Sequence, residues 1–182
     1  SSLPTKTIDG SLDGSFTSII EHLNVGTTYY VRAYATNIIG TSYGNQISFT
    51  TLPIDNDGNI YNTITIGNQI WMKENLKTTT YNDGTPIEFV TDNAEWTNKT
   101  SGAFTWYDND ESLYKNTYGA LYNWYAITDN RKLCPNGWHI PTNDEWNTLA
   151  NYLGGNSLAG GKLKDTILWL SPNTGATNES GF

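Results

Sequence analysis

Pro141-Thr142-Asn143-Asp144-Glu145-Trp146-Asn147-Thr148-Leu149-Ala150-Asn151-Tyr152-Leu153-Gly154 is the stretch that decides the fold. Thr142 precedes Glu145 by three residues, the spacing of a capping box, in which each side chain serves the other's backbone N–H. Asp144 and Glu145 place negative charge in the first turn, where the helix dipole favours it. Trp146, Leu149, Ala150 and Leu153 fall at i, i+3, i+4 and i+7, one apolar stripe of a helix. Gly154 supplies the left-handed position that ends it. The spacing therefore predicts a helix over 142–153 with a core on one side.

Upstream, the period changes from helical to alternating. Residues 60–66 alternate, with Thr63 and Thr65 on one face, and Gly67-Asn68 fits a two-residue hairpin turn before Gln69-Ile70-Trp71-Met72. Asp57-Gly58 and Asp83-Gly84 read as turns. Residues 88–118 read as irregular and polar, anchored by Trp96, Phe104 and Trp106. Gly119 to Ile127 reads as a second helix with Leu121, Trp124 and Tyr125 on one face. Trp71, Trp124, Trp138 and Trp146 are expected in the core, and Gly155 to Lys162 as a flexible turn.

Residues 1–52 are strand-like. Phe16 to Ile19 and Tyr29 to Thr36 are rich in β-branched and aromatic residues. Tyr29, Val31, Ala33 and Ala35 alternate against Tyr30, Arg32, Tyr34 and Thr36. Gly40 to Gly44 reads as a break, and Gln46 to Thr51 as a returning strand with Ile47 and Phe49 inward. Pro53 ends that strand because it has no N–H for the ladder. Residues 53–54 are the expected linker.

The 182 residues carry 10 Lys+Arg against 18 Asp+Glu, a net charge of -8, with 13% aromatic and only 15% charged residues. Disorder goes with few aromatics and abundant charge, so this composition excludes it. The scattered cations form no track for a phosphate backbone, which excludes nucleic acid as a partner. No apolar run approaches the roughly 20 residues of a membrane span. Polarity from Asn, Thr, Ser and Gly, with abundant Tyr and Trp, points to a β-rich secreted or surface-exposed protein. The one cysteine, Cys134, is a free thiol, an intermolecular half-bridge, half of a pair completed outside these residues, or a small buried apolar group.

In the first region, Leu23-x-x-Gly26-Thr27-x-Tyr29-x-Val31-x-Ala33 resembles the fibronectin type III family. The resemblance implies that Tyr29 forms a tyrosine corner with Leu23 packed beneath it. It also implies that residues 1–52 are the last three strands of a seven-stranded sandwich. In the second, the motifs run in order: Asp55-Asn56-Asp57-Gly58-Asn59-x-Tyr61, Ile66-Gly67-Asn68-Gln69-Ile70-Trp71-Met72-Lys73-Glu74-Asn75-Leu76, Tyr118-Gly119-Ala120-Leu121-Tyr122-Asn123-Trp124, Leu133-Cys134-Pro135-Asn136-Gly137-Trp138-His139-Ile140-Pro141-Thr142, Glu145-Trp146 and Gly160-Gly161-Lys162-Leu163-Lys164. They resemble the Fibrobacter succinogenes major paralogous domain family, grouped with C-type lectin-like folds. The implied architecture is a partial all-β fibronectin type III sandwich (1–52), then an α+β C-type lectin-like domain (55–182), both truncated. The family's late cysteine would then pair with Cys134, from outside these residues.

The chemical candidates are few. Asp55, Asp57 and Asn59 have the alternate-oxygen spacing of a calcium loop, but Ile60 and Ile66 stand where an EF-hand needs Gly and Glu. A looser calcium site stays open beside a solvated turn. Gly40-Thr41-Ser42-Tyr43-Gly44 matches a nucleophile elbow in letters only, because a strand follows where the elbow needs a helix. Cys134 and His139 lack a readable third group to orient a thiolate–imidazole pair. Trp106-Tyr107-Asp108-Asn109-Asp110 only echoes the calcium-lectin motif. Trp96, Trp106 and Trp169 lie in expected loops and are the candidate ligand-stacking platforms, since aromatic rings suit binding surfaces.

The expected function is therefore a non-catalytic extracellular or cell-surface bacterial module. It joins a spacer to a recognition or adhesion domain for an unknown protein or glycan, with calcium as the one cofactor left open. Two alternatives stand beside it. One is a carbohydrate-binding lectin-like protein. The other is a formylglycine-generating-type enzyme, suggested by the likeness of Pro141-Thr142-x-x-Glu145-Trp146 to that family's helix entry and disfavoured by the single cysteine.

Overall fold

A computed structural model describes residues 6–10, 14–24 and 26–182. The parts of the 1–52 expectation that rest on residues 1–5, 11–13 and Val25 lie outside the described residues. The chain divides into two units, Ser1–Thr51 and Leu52–Phe182.

The first unit is a long antiparallel ribbon. β1 (Thr28–Val31) pairs with β4 (Ile47–Thr50), and β2 (Tyr34–Thr36) pairs with β3 (Thr41–Tyr43). Val31 faces Ile47 and Tyr34 faces Tyr43, so Arg32 and Ala33 oppose one more residue, 44–46, on the returning side. That extra residue is a β-bulge, and it breaks the strand expected to run unbroken from Tyr29 to Thr36. The expected break at Gly40 to Gly44 is mostly strand β3, because Tyr43 is drawn against Tyr34 across the ladder, ring centroids 6.3 Å apart. The turn lies earlier. The Asn37 Oδ1 accepts the N–H groups of Ile39 and Gly40, at 2.9 and 3.2 Å, and so closes it. Phe16 to Ile19 is not a strand, having no ladder partner. Tyr29 stacks on Phe49 at 5.9 Å, and its hydroxyl oxygen accepts the Asn24 N–H at 2.7 Å. Ile47 and Phe49, expected inward, are exposed, and no apolar side chain among this unit's described residues is buried. A single ribbon has no second layer to cover its apolar face.

The second unit starts before the expected boundary. Pro53 is buried, its carbonyl accepts the Tyr61 N–H at 3.0 Å, and Ile54 bridges to Ile60. The 53–54 linker is therefore part of this unit, packed because Tyr61 needs a partner for its N–H. The hairpin β5 (Thr63–Ile66)–β6 (Gln69–Met72) turns at Gly67-Asn68, as its spacing predicts. A three-stranded sheet orders β7 (Glu88–Phe89), β8 (Ala103–Trp106) and β9 (Ala120–Tyr122). β7 runs parallel to β8, and β9 antiparallel to it.

The helices are α1 (Asn93–Asn98), α2 (Glu111–Tyr118), α3 (Trp124–Ile127), α4 (Asn143–Tyr152) and α5 (Asn156–Leu163). The helix predicted over 142–153 is α4 with both of its caps. The capping box is present: Thr142 N–H donates to Glu145 Oε2 at 2.8 Å, and Glu145 N–H to Thr142 Oγ1 at 3.3 Å. At the other end, Gly155 N–H donates to Ala150 O and Gly154 N–H to Asn151 O, the paired bonds of a Schellman motif.

Three local expectations are corrected. Residues 88–118 are not irregular: they hold β7, α1, β8 and α2, whose short elements carry no long period to read. The helix expected over 119–127 is split, since Ala120–Tyr122 pairs with β8 and Asn123 caps the separate α3. Alternation then leaves Leu121 outside, while Ala126 faces the core. The flexible turn expected at Gly155 to Lys162 is α5, held by burial of Ala159. Its Gly161 is there for close approach: a Cβ would lie 2.3 Å from the Gly175 carbonyl oxygen.

The core has two clusters. One joins Tyr81, Ile87, Phe104, Trp106, Ala126 and Leu133; the other joins Ile66, Trp71, Leu149, Leu153 and Ala159. The second packs the α4 stripe on the β5–β6 hairpin, and Gln69 Nε2 donates to Glu145 O at 3.1 Å across that contact. Among the described residues, no helix is long and apolar enough to cross a membrane.

Candidate functional site

The alternate oxygens of the Asp55 motif serve the protein itself. Asp55 is buried, and its Oδ1 accepts from Asp57 N–H (3.1 Å) and Asn59 N–H (2.8 Å). Its Oδ2 accepts from Asn59 Nδ2 (2.8 Å) and the Tyr61 hydroxyl (2.6 Å). Burial, then the Asp55 bond, pushes the Tyr61 hydroxyl far above its ordinary pKa, so it stays a donor. The Asp57 carboxylate turns to a different segment and accepts from the Thr79 N–H and from the hydroxyls of Thr78, Thr79 and Thr80. Burial opposes ionisation of Asp57, yet these bonds hold its carboxyl below the usual range. Asp55, Asp57 and Asn59 thus do not converge on a cation. They clasp residues 77–81 onto the start of the unit, with Lys77 N–H donating to Tyr61 Oη at 3.1 Å and Tyr122 Oη to Thr78 O at 2.7 Å. Among the described residues, no group of three or more His, Cys, Asp or Glu is placed to hold a metal.

Cys134 is a buried thiol, pushed up to about 11 by burial. His139 does not address it; His139 Nε2 lies 2.7 Å from Glu145 Oε1. The Thr142 N–H, with His139 beside it, pulls the Glu145 carboxyl down to about 2. Glu145 and Thr142 therefore cap α4, as their spacing predicts.

The three candidate tryptophans separate. Trp106 is 2% exposed, edge-on to Phe104 at 5.4 Å, and is core rather than platform because β8 turns it inward. Trp96 is half-buried on α1, not in a loop. Trp169 is 59% exposed, between exposed Leu168 and Leu170. Among the tryptophans expected in the core, Trp71 is buried. Trp138 is half-buried, and Trp146 is 43% exposed at the cluster rim, 4.8 Å from Trp71. Trp124 is 71% exposed, because the strand–cap–helix break rotates it away from the core.

The structure gathers a different aromatic group. Tyr107 follows β8, and Tyr114 and Tyr118 sit one turn apart on α2. Tyr114 and Tyr118 stack at 5.6 Å and 20°, and Tyr107 stands edge-on to them at 4.9 and 5.4 Å. Edge-on and offset contacts of this kind add about 0.5–1.5 kcal/mol each beyond area burial, which fixes the rings. Two of the three rings are nonetheless open to solvent: Tyr107 is 53% and Tyr118 39% exposed, Tyr114 is half-buried, and the neighbouring Leu113 is exposed too.

The support beneath the trio is rigid. Asp110 caps α2 by accepting from Leu113 N–H (3.1 Å) and Ser112 Oγ (2.6 Å), which holds its carboxyl below the usual range. Asn109 Oδ1 accepts from Thr105 Oγ1 at 2.8 Å, and its Nδ2 donates to Thr91 O at 3.3 Å. Lys115 pairs with Glu111 at 2.7 Å and lies 5.3 Å over the Trp106 ring. The i, i+4 spacing of Tyr114 and Tyr118 is the sequence signal for two of the three rings. Tyr107 joins it only through the turn between β8 and α2.

A family model described as the Fibrobacter succinogenes major domain matches residues 64–182, well over half of the chain. No curated protein and no solved structure matches the chain. The match spans the hairpin, the sheet and all five helices, in the region where the ordered motifs point to the same family. The chain belongs to the Fibrobacter succinogenes major domain family.

Proposed function

We propose that the chain is a non-catalytic recognition module of a bacterial extracellular or cell-surface protein. A fibronectin type III-like segment spaces a C-type lectin-like domain that binds a protein or glycan. The observation that carries the reading is the Tyr107–Tyr114–Tyr118 group: rings fixed against one another where a turn meets a capped helix, with Tyr107 and Tyr118 open to solvent. Rigid, amphipathic aromatic area is what binding surfaces use, because it costs little side-chain entropy to present. The bond from Asn24 N–H to the Tyr29 hydroxyl oxygen favours the fibronectin-like reading, since a tyrosine corner ties its ring back to the preceding loop. The net charge of -8 favours solubility and disfavours polyanionic partners.

The formylglycine-generating alternative draws little support. Its chemistry needs a reactive thiolate, and Cys134 is buried with its pKa raised to about 11. Two assays separate the readings. A glycan array read with and without calcium tests the lectin-like version. Incubation with a cysteine-containing sulfatase peptide tests the enzymatic one. Aldehyde formation by the chain overturns the non-catalytic proposal.

A further inference from the structure

We infer that the turn Pro135–Trp138 carries a site of spontaneous covalent modification, where the Gly137 backbone nitrogen and water convert Asn136 into aspartate and isoaspartate. Asn136 is the one asparagine of the sequence that precedes a glycine. A single bond closes its turn, Trp138 N–H to Pro135 O at 2.9 Å, with Gly137 at φ +83, the geometry of a type II turn. Asn136 and Gly137 are both exposed. Among the described residues, neither the Asn136 side chain nor the Gly137 N–H has a hydrogen-bond partner. A Cβ built on Gly137 would meet nothing within 4 Å, so the space over the turn is open. Other asparagines that precede small or acidic residues are held in place. Asn56 donates to Tyr81 O, Asn82 to Cys134 O and Asn109 to Thr91 O, and Asn156, ahead of Ser157, is fixed in the helical backbone of α5.

The chemistry needs only the two adjacent residues and solvent. Hydroxide takes the Gly137 amide proton, and the nitrogen attacks Asn136 Cγ to close a five-membered succinimide. The Cγ–Nδ2 bond breaks, and the nitrogen leaves as ammonia after taking a proton from water, which regenerates hydroxide. A second water then adds to one of the two ring carbonyls and opens the ring to aspartate or isoaspartate; nothing is oxidised or reduced. Glycine favours the closure because no Cβ stands beside the attacking nitrogen. The type II turn holds that nitrogen away from Asn136 Cγ, so the turn bond opens first, and the loss of one exposed hydrogen bond slows the reaction by about ten-fold. Isoaspartate routes the chain through the side chain, which adds one backbone atom between residues 136 and 137 and leaves a new carboxylate. The turn lies on the segment that runs from Leu133 in one core cluster to α4, which supplies Leu149 and Leu153 to the other. The product therefore lengthens the link between the two clusters and adds one negative charge to the net of -8.

The test ages the full, folded chain at pH 6 and pH 8 in water enriched in heavy oxygen, beside a synthetic peptide of residues 133–140. Mass-spectrometric peptide mapping and an isoaspartyl methyltransferase assay read both. Asn136 is expected to be the first asparagine converted, faster at pH 8 than at pH 6, with heavy oxygen in the product and isoaspartate in the mixture. The folded chain should react within about ten-fold of the peptide rate, the effect of the turn bond. Asn136→Gln, which would need a six-membered ring, should abolish the change at this position. Mapping of the parent chain alone also decides the matter, so the outcome does not depend on how the variant folds. Asp-Gly pairs such as Asp57-Gly58 and Asp83-Gly84 rearrange through the same ring without releasing ammonia, and mapping separates them. The proposal is overturned if Asn136 lags the peptide by more than that factor, if another asparagine converts first, or if no heavy oxygen enters the product. Conversion that does not accelerate with pH also overturns it. The recognition reading stands or falls separately, on the binding and turnover assays.

Discussion

Replacing Asp55 with Asn changes one oxygen into an NH2 group inside a buried clasp. The Asn side chain can still accept from Asp57 and Asn59 N–H through Oδ1. Its NH2 then faces two donors, Asn59 Nδ2 and the Tyr61 hydroxyl, which bond Oδ2 at 2.8 and 2.6 Å. Tyr61 is fully buried, so its hydroxyl has no water to turn to. A lost hydrogen bond to a charged group costs about 1.5–3 kcal/mol, and the Asn59 bond adds about 1. Burying a neutral side chain in place of an ion returns part of this. The expected net loss is about 2–3 kcal/mol for Asp55→Asn. Asp55→Ala strands all four donors, for a loss of about 3–5 kcal/mol. Urea unfolding followed by tryptophan fluorescence reads both, because all seven Trp lie in the second unit. Losses below about 0.5 kcal/mol, or an alanine variant more stable than the asparagine one, would refute the clasp. Stabilisation of the parent but not of Asp55→Asn by millimolar calcium would restore the cation loop in its place.

Other outcomes follow from single contacts. Thr142→Ala removes one half of the capping box and should cost about 1 kcal/mol in the same urea assay. Glu145 is pulled from 4.5 to about 2, so its contribution is complete above pH 4.5 and disappears as pH falls toward 2. Glu145→Gln should flatten the stability–pH curve across that window. Gly67→Ala places a methyl group 2.8 Å from the Tyr152 ring on a backbone at φ +63. The φ alone costs about 1–2 kcal/mol, and a double-mutant cycle with Tyr152→Ala should recover only the steric remainder. Cys134, buried with its pKa raised to about 11, should resist iodoacetamide at pH 8 and react readily once urea unfolds the chain. Fast alkylation of the native protein would contradict the burial.

How far the sequence reaches is visible in individual elements. The α4 caps, the Gly67-Asn68 hairpin and the family motifs of residues 64–182 were legible, and each is found in place. The same period misled at Gly119 to Ile127. Leu121, Trp124 and Tyr125 share a face only in a continuous helix, and pairing of Ala120–Tyr122 with β8 prevents one. Trp106 and Trp169 looked alike as loop aromatics, yet one is core and the other open.

The α4 caps and the Gly67-Asn68 turn were determined by the sequence alone because their partners lie within a few residues, and local hydrogen-bond geometry decides them. The role of Asp55, the burial of Trp106 and the gathering of Tyr107 with Tyr114 and Tyr118 belong to the tertiary structure. Each depends on which distant segment arrives to donate a hydrogen bond, cover a ring or leave it uncovered. Burial and polar satisfaction are properties of the packed chain, so the residue type and its near neighbours do not contain them.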